Sequence, residues 1–415
     1  MSERLPLQMI GGLLVGLALG IAAHLLLGDS IFLDSLVRYA IEPVGQLFLR
    51  LLFMLVIPLV LSALALSVAE LGDLRQLGRI GAKTLAYTVV VSTIAVVIGV
   101  VLVNWIQPGK GLPPEVTAQL HASAPPPAST AAGRTGVDFI VNLVPTNVVR
   151  AMDEGDMLAL MVFSLIFGIG LATTPSDAAR RLEDALRGLF DVTMRLLAMV
   201  IRVAPVGVAC LVFVLATRLG LEVFRQLAVY VVVVIAGLAL QQFGVYSASV
   251  AWLGGMRPRD FFRGAWPATL TAFSTASSSA TLPTALWVAE NELRLPSRIS
   301  RFVLTIGATA NQNGTALFEG VTVLFLAQVF GVHLTIGQQL TVAFICILGG
   351  IGTAGVPAGS IPVVAMILGI VGVPPESIAI VLGVDRLLDM CRTAVNVTGD
   401  LAAAVVVARG EPTAG

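Results

Sequence analysis

Residues 385–400 read DRLLDMCRTAVNVTGD and lie between two apolar runs. At 100° per residue, Asp385, Asp389, Arg392, Asn396 and Asp400 fall within an arc of about 80° on a helix, with Thr393 at its edge. One face thus carries three carboxylates, a guanidinium and an amide, while the other is Leu, Met, Ala and Val. A charged side chain at bilayer depth costs roughly 2.5–3.5 kcal/mol, so such groups face a bundle interior or a wet cavity and mark an ion or substrate path. The competing reading is a set of paired charges that only locks two helices together. Asn396 and Asp400, with no further cation on the stripe, count against it.

The surrounding chain supports that depth. Its 415 residues are 57% hydrophobic and 12% charged, with mean hydropathy +0.93, and apolar runs of membrane-spanning length recur throughout. These features predict an all-α polytopic membrane protein and exclude a soluble fold. Net charge is zero, which gives no basis for nucleic-acid binding. Cys210, Cys346 and Cys391 are scattered in apolar segments and read as buried thiols, and His24, His121 and His333 are too dispersed to suggest a histidine metal site. The N-terminus runs into an apolar stretch without a small-residue cleavage site, so it reads as a first span and not a removed signal.

In order, spans are expected at about 7–27, 44–71 (bent near Pro58), 84–105, 139–173, 189–219 (bent at Pro205) and 227–253. Arg75, Arg79 and Lys83, then Arg180, Arg181 and Arg187, then Arg257, Arg259 and Arg263 read as cytoplasmic loops, which puts the N-terminus inside. Residues 107–134, rich in Pro, Ala and Ser, predict an exposed, mobile external loop.

Beyond Arg263 the pattern changes. The apolar segment 267–289 is broken by STASSSATLP (274–283), and Arg294, Arg298 and Arg301 follow too soon for a crossing. This predicts a re-entrant hairpin from the cytoplasmic side. A seventh span begins near Phe302 and is interrupted by GATANQNGT (307–315) before resuming to about Phe330. A second hairpin, about 340–368, breaks at GGIGTAGVPAGS (349–360) and should enter from outside. Two broken hairpins entering from opposite faces are the mark of an inverted-repeat transporter with a midplane site, and unwound backbone at that depth needs protein or a cavity around it.

The two tips, the break in span seven and the polar face of the last span should therefore converge. Free N–H groups at half-helix N-termini beside Ser277, Ser278 and Ser279, and at Gly355, Val356 and Pro357, suit a carboxylate. Arg392 offers a fork for a second carboxylate, and Asp389, one turn earlier, can accept hydrogen bonds from an ammonium. An acidic amino acid has these three groups. An internal Asp389–Arg392 pair is the bland reading, and it is compatible with ligand binding because a substrate can divide the pair.

The tip SSSATLP, the NxxGTAL of span seven, the tip GIGTAGVP and the terminal DxxLDMxRTxVNVTGD resemble the excitatory amino acid transporter and dicarboxylate/amino acid:cation symporter family. The resemblance is specific over 273–408 and extends in hydropathy over the whole chain. It implies eight transmembrane helices plus two re-entrant hairpins in an elevator-type transporter fold, assembled as a homotrimer in the cytoplasmic membrane with both termini inside. The scaffold would comprise 1–80 and 137–220, and the transport domain 81–105, 221–253 and 254–415, with 106–136 the external loop. The resemblance places substrate contacts at Ser278, Thr315, Val356, Asp389, Arg392, Thr393 and Asn396. The presence of Asp389 favours L-aspartate or L-glutamate over a dicarboxylate.

The chain departs from the family at span seven. A motif that usually reads NMDGT is here Asn311, Gln312, Asn313, Gly314 and Thr315, so an amide replaces a cation-binding aspartate. On span three, Thr88, Val91 and Ser92 stand where the family has tyrosine, threonine and serine. Sodium wants hard oxygens and negative charge, so this altered site is expected to fail. A second site, at Gly307, Asn311, Asn396 and Asp400, keeps its oxygens. The site closed by tip two keeps Thr309, but Gln312 replaces the sulfur. Reduced or absent sodium coupling follows, with either protons, carried by Asp385, Asp389, Asp400 or Glu319, or exchange alone as the alternative drive. A conventional sodium- or proton-coupled symporter is the runner-up. No cofactor and no metal beyond a coupling Na+ is expected. Other classes fare worse: no histidine or lysine lies near the tip serines to make a nucleophile, and a channel would need a continuous pore.

Overall fold

The computed structural model describes residues 5–28, 30–71, 79–111, 144–153, 157–219, 222–352 and 359–409, and among these every regular element is helical. α1 (Leu5–Leu27) is followed by α2 (Ile31–Leu36), which passes through a π turn (Val37–Ile41) into α3 (Glu42–Phe53), and then by α4 (Val56–Leu71). The second helical run thus starts at Ile31 and not near Val44. It breaks at Met54 and Leu55 because Pro58 has no N–H for the carbonyl four residues before it.

α5 (Arg79–Ile106) begins earlier than expected, so Arg79 and Lys83 sit in its first turns and not in a loop. α6 (Val148–Asp153) and α7 (Met157–Thr173) precede α8 (Asp177–Leu219), which also starts early and carries Arg180, Arg181 and Arg187 on the helix itself. Hydropathy underestimates both helices because their first turns are polar, and straight-chain polar residues are good helix formers. α8 bends by 52° between Val200 and Arg202, one turn before Pro205. α9 (Glu222–Ala239) continues through two π stretches, Leu240–Val245 and Ser249–Gly254, that flank Tyr246–Ala248. Arg79–Ile106 and Arg225–Gly254 are long and apolar enough to cross a bilayer unbroken, as is the bent α8 pair taken as one span.

The C-terminal third is built from broken helices. α10 (Pro258–Thr275) and α11 (Ser278–Trp287) form the first hairpin. α12 (Ser297–Ala310) and α13 (Asn313–Val329) are two halves separated at Asn311 and Gln312. α14 (Ile336–Gly352) and α15 (Ser360–Ile370) are the arms of the second hairpin, whose tip, including Val356, lies outside the described residues, as do Arg75 and most of the expected external loop. α16 (Ala379–Ala408) runs through the centre with α10, α12 and α13 around it. α1 and α3 pack along α8, α7 along α4, and α5 along α13. Of the thiols, Cys346 is buried, whereas Cys210 and Cys391 are only half-buried, correcting the expectation for those two.

Candidate substrate and coupling site

The first hairpin turns at a single left-handed residue. Ala276, at φ +50°, closes α10 with its N–H on the Ala272 carbonyl, and Ser277 opens α11 by accepting a hydrogen bond from the Ala280 N–H. Ser278, buried, is therefore in the first turn of a half-helix, where N–H groups lack intrahelical partners. In span seven, Asn311 (φ −105°, ψ 59°) and Gln312 (φ −95°, ψ 58°) leave the helical conformation, which frees the N-terminus of α13 within the protein core. α13 can reach α16 there because Gly314 has no Cβ: one would stand 2.7 Å from the Arg392 carbonyl oxygen.

α16 supplies the charges. Arg392 is 1% exposed, with Nη1 donating to Asp385 Oδ1 and Nε to Asp389 Oδ1, both at 3.0 Å. Its Nη2 lies 2.9 Å from Asp389 Oδ1 but makes no hydrogen bond among the described residues. The guanidinium carbon rests 4.1 Å from the Phe318 ring centroid, a cation–π contact that sequence reading missed because no motif joins two elements 74 residues apart. Arg386, whose Nη1 is 3.5 Å from Asp389 Oδ2, was also passed over, although i, i+3 spacing made this contact legible. Thr393 turns its hydroxyl to the Asp389 carbonyl at 2.7 Å.

Asn396 joins the two elements. Its Oδ1 accepts from the Gly314 and Thr315 N–H groups at 2.7 and 3.4 Å, capping α13, while its Nδ2 donates to Gln312 Oε1 at 2.5 Å and Thr315 Oγ1 at 3.0 Å. Gln312 in turn donates weakly to Ser278 Oγ at 3.5 Å. The structure thus brings together Ser278, Gln312, Thr315 and Asn396 in one chain of hydrogen bonds, beside Asp385, Asp389, Arg392 and Thr393.

A second cluster lies one turn farther along α16. Asn311 Nδ2 donates to Asp400 Oδ1 at 2.9 Å, and its own Oδ1 is buried without a hydrogen-bond partner among the described residues. Gly307 makes room for that carboxylate, since a Cβ would lie 2.5 Å from Asp400 Oδ1. A buried carboxylate and an unspent amide oxygen fit a small cation. Thr309, expected at the site closed by tip two, donates its hydroxyl to the Ile306 carbonyl at 3.0 Å, and that tip lies outside the described residues.

The altered position has a different character. Asn313 Oδ1 accepts from Ser92 Oγ at 2.5 Å, and its Nδ2 donates to the Tyr246 hydroxyl at 3.2 Å. Thr88 and Val91 are buried on the same face of α5. Tyr246 reaches this point because Gly399 leaves space for its hydroxyl. Glu319, one turn beyond Thr315, is 0% exposed, and neither of its oxygens has a hydrogen-bond partner among the described residues.

Comparison with known proteins gives the same direction. The model of the sodium:dicarboxylate symporter family matches residues 5–410. A proton/glutamate-aspartate symporter of Escherichia coli (strain K12) is 35% identical over 97% of this chain and 92% of its own length. A proton/sodium-glutamate symport protein of Geobacillus stearothermophilus is 33% identical over 96% of this chain and 93% of its own. The excitatory amino acid transporter 3 of Oryctolagus cuniculus is 32% identical over 93% and 82%. On the evidence of motif, length and match, the chain belongs to the sodium:dicarboxylate symporter family, whose members are transporters and not enzymes.

Proposed function

We propose that the chain carries L-aspartate or L-glutamate across the cytoplasmic membrane as a secondary active transporter, with reduced sodium coupling and protons as the principal drive. The observation that carries the substrate reading is Arg392, a fully buried guanidinium shared by Asp385 and Asp389 with Nη2 still lacking a hydrogen bond. A substrate side-chain carboxylate takes the fork, its ammonium goes to Asp389, and its α-carboxylate meets Ser278 and the first-turn N–H groups of α11 at the first tip. The names of the relatives point to the same substrate class.

Two observations support the coupling reading. The Asn313 amide is engaged on both sides by Ser92 and Tyr246, where a cation would need unspent oxygen. Glu319 is a buried carboxyl without a hydrogen bond, which suits a group that crosses neutral and crosses back ionised or vacant of its proton. One sodium could still accompany substrate at Gly307, Asn311 and Asp400, whereas the Asn396 side-chain oxygen expected beside them is already taken by the Gly314 and Thr315 N–H groups. The family architecture of eight spans, two hairpins, a scaffold formed by α1–α4 and α6–α8, a moving remainder and a homotrimer completes the reading.

The experiment is uptake of labelled L-aspartate into proteoliposomes under an imposed proton gradient, a sodium gradient or neither. Accumulation should follow the proton gradient, and Glu319→Gln should lose it while retaining aspartate exchange. Accumulation driven by sodium alone, unchanged in Glu319→Gln, would overturn the coupling reading.

A further inference from the structure

Asp389 faces two guanidiniums, and they are held very differently. Arg392 reaches Asp385 Oδ1 and Asp389 Oδ1 at 2.9–3.0 Å through all three of its nitrogens, and it rests on the Phe318 ring. Arg386, one turn earlier on α16 and 7% exposed, has Nη1 3.5 Å from the other oxygen, Asp389 Oδ2. Its Nε is buried without a hydrogen-bond partner among the described residues. A buried charge is destabilising unless it is closely paired and hydrogen-bonded. A guanidinium tied this loosely beside a substrate-reading carboxylate is suited to a contact that is made and broken.

An ammonium is a compact donor that approaches a carboxylate to about 2.7–2.9 Å, closer than Arg386 stands. Its arrival would displace the weaker of the two cations and leave Arg392 in place. An acidic amino acid brings two carboxylates with its one ammonium, so the guanidinium set free still faces net negative charge. A dicarboxylate has no ammonium to offer, and Arg386 then stays on Oδ2. With Asp389 as the acceptor of the substrate ammonium, the reading proposed above, we propose that Arg386 is a positioning residue for that carboxylate and sets substrate selectivity. It holds Oδ2 in the empty transporter, yields it to an amino acid, and screens it from a dicarboxylate.

The test is competition by L-aspartate and by succinate against exchange of labelled L-aspartate in proteoliposomes, read as the ratio of the two half-inhibitory concentrations. Arg386→Gln should shift that ratio about tenfold toward L-aspartate, the lower end for a hydrogen bond to a charged group. The ammonium no longer has a cation to displace, and succinate loses its screen. Arg386→Lys, which keeps the charge, should stay near the wild-type ratio. Loss of a merely structural contact would weaken both compounds alike and leave the ratio where it was. In an Asp389→Asn background Arg386→Gln should have no further effect, since the carboxylate through which it acts is gone. An unmoved ratio in Arg386→Gln, the same shift in Arg386→Lys, or the same shift in the Asp389→Asn background would each overturn the proposal. Asp389→Asn by itself separates the two readings. An unchanged ratio there removes the ammonium from Asp389 and the role of Arg386 with it, whereas a shift there with none in Arg386→Gln removes only the role of Arg386. Retained L-aspartate exchange reports that each variant is folded, and Arg386→Met supplies the neutral side chain if the glutamine variant does not fold.

Discussion

Arg392 illustrates how a single residue sets the chemistry. Removing one partner of a buried pair costs about 3–5 kcal/mol because the charge left behind is unsolvated, so Arg392→Ala tests fold and function together, whereas Arg392→Lys keeps the charge and loses the fork. Asp389→Asn is the cleaner probe of the ammonium. It should reduce L-aspartate uptake by about 10- to 100-fold, the worth of a charged hydrogen bond, and leave succinate uptake at the wild-type level or above. Competition of each compound with labelled substrate measures this, and equal loss for both would detach Asp389 from the ammonium. At position 313 a carboxylate would restore negative charge between Ser92 and Tyr246. Asn313→Asp is expected to raise the sodium dependence of uptake, read as rate against sodium concentration, and a fall would show that the coupling argument is misdirected. These residues were legible because Asp385, Asp389, Arg392, Asn396 and Asp400 share one helical face. Their partners were not: nothing in the order of the chain announces that Phe318 lies under Arg392, that Tyr246 meets Asn313, or that Asn396 is spent on capping α13.

Among the elements, the broken helices carry the site, and their breaks have local causes. The split of span seven at Asn311 and Gln312 and the first tip at Ala276 and Ser277 both fall inside the interruptions read from composition. Small and hydroxyl residues interrupt apolar periodicity where backbone must be freed. The early starts of α5 and α8 escaped that reading because polar first turns look like loop. Ala276 holds a left-handed conformation that costs a non-glycine residue about 1–2 kcal/mol. Ala276→Gly should therefore raise the thermal midpoint of the detergent-solubilised protein by a few degrees, and a lowered midpoint would mean that the methyl group, 1% exposed, contributes more by packing than the conformation costs. Gly307→Ala should do the reverse: its Cβ would press on Asp400 Oδ1, and overpacking of this kind costs about 1–3 kcal/mol. The check is a melting curve together with sodium-dependent binding, and an unshifted curve would show that the carboxylate can move aside.

For the whole molecule, α16 and the broken helices around it form one packed body, while α1 and α3 lie along the bent α8 and α7 lies along α4. The hydropathy pattern made the helical class and the two hairpins legible, but assembly and the direction of insertion depend on lipid and on other copies of the chain. The orientation argued above puts the α13–α14 connection outside and the start of α10 inside. A membrane-impermeant thiol reagent applied to intact cells should label Gly337→Cys, where a side chain has open space, and not Arg259→Cys. The reverse pattern would invert the topology.

The most direct test of the central claim, that the buried Asp389–Arg392 pair reads an acidic amino acid, is competition by L-aspartate, succinate and L-alanine for exchange in proteoliposomes holding wild type or Arg392→Lys. Wild type should be blocked by L-aspartate far better than by L-alanine, and Arg392→Lys should lose that difference while remaining folded. An unchanged preference for L-aspartate in Arg392→Lys would contradict the account.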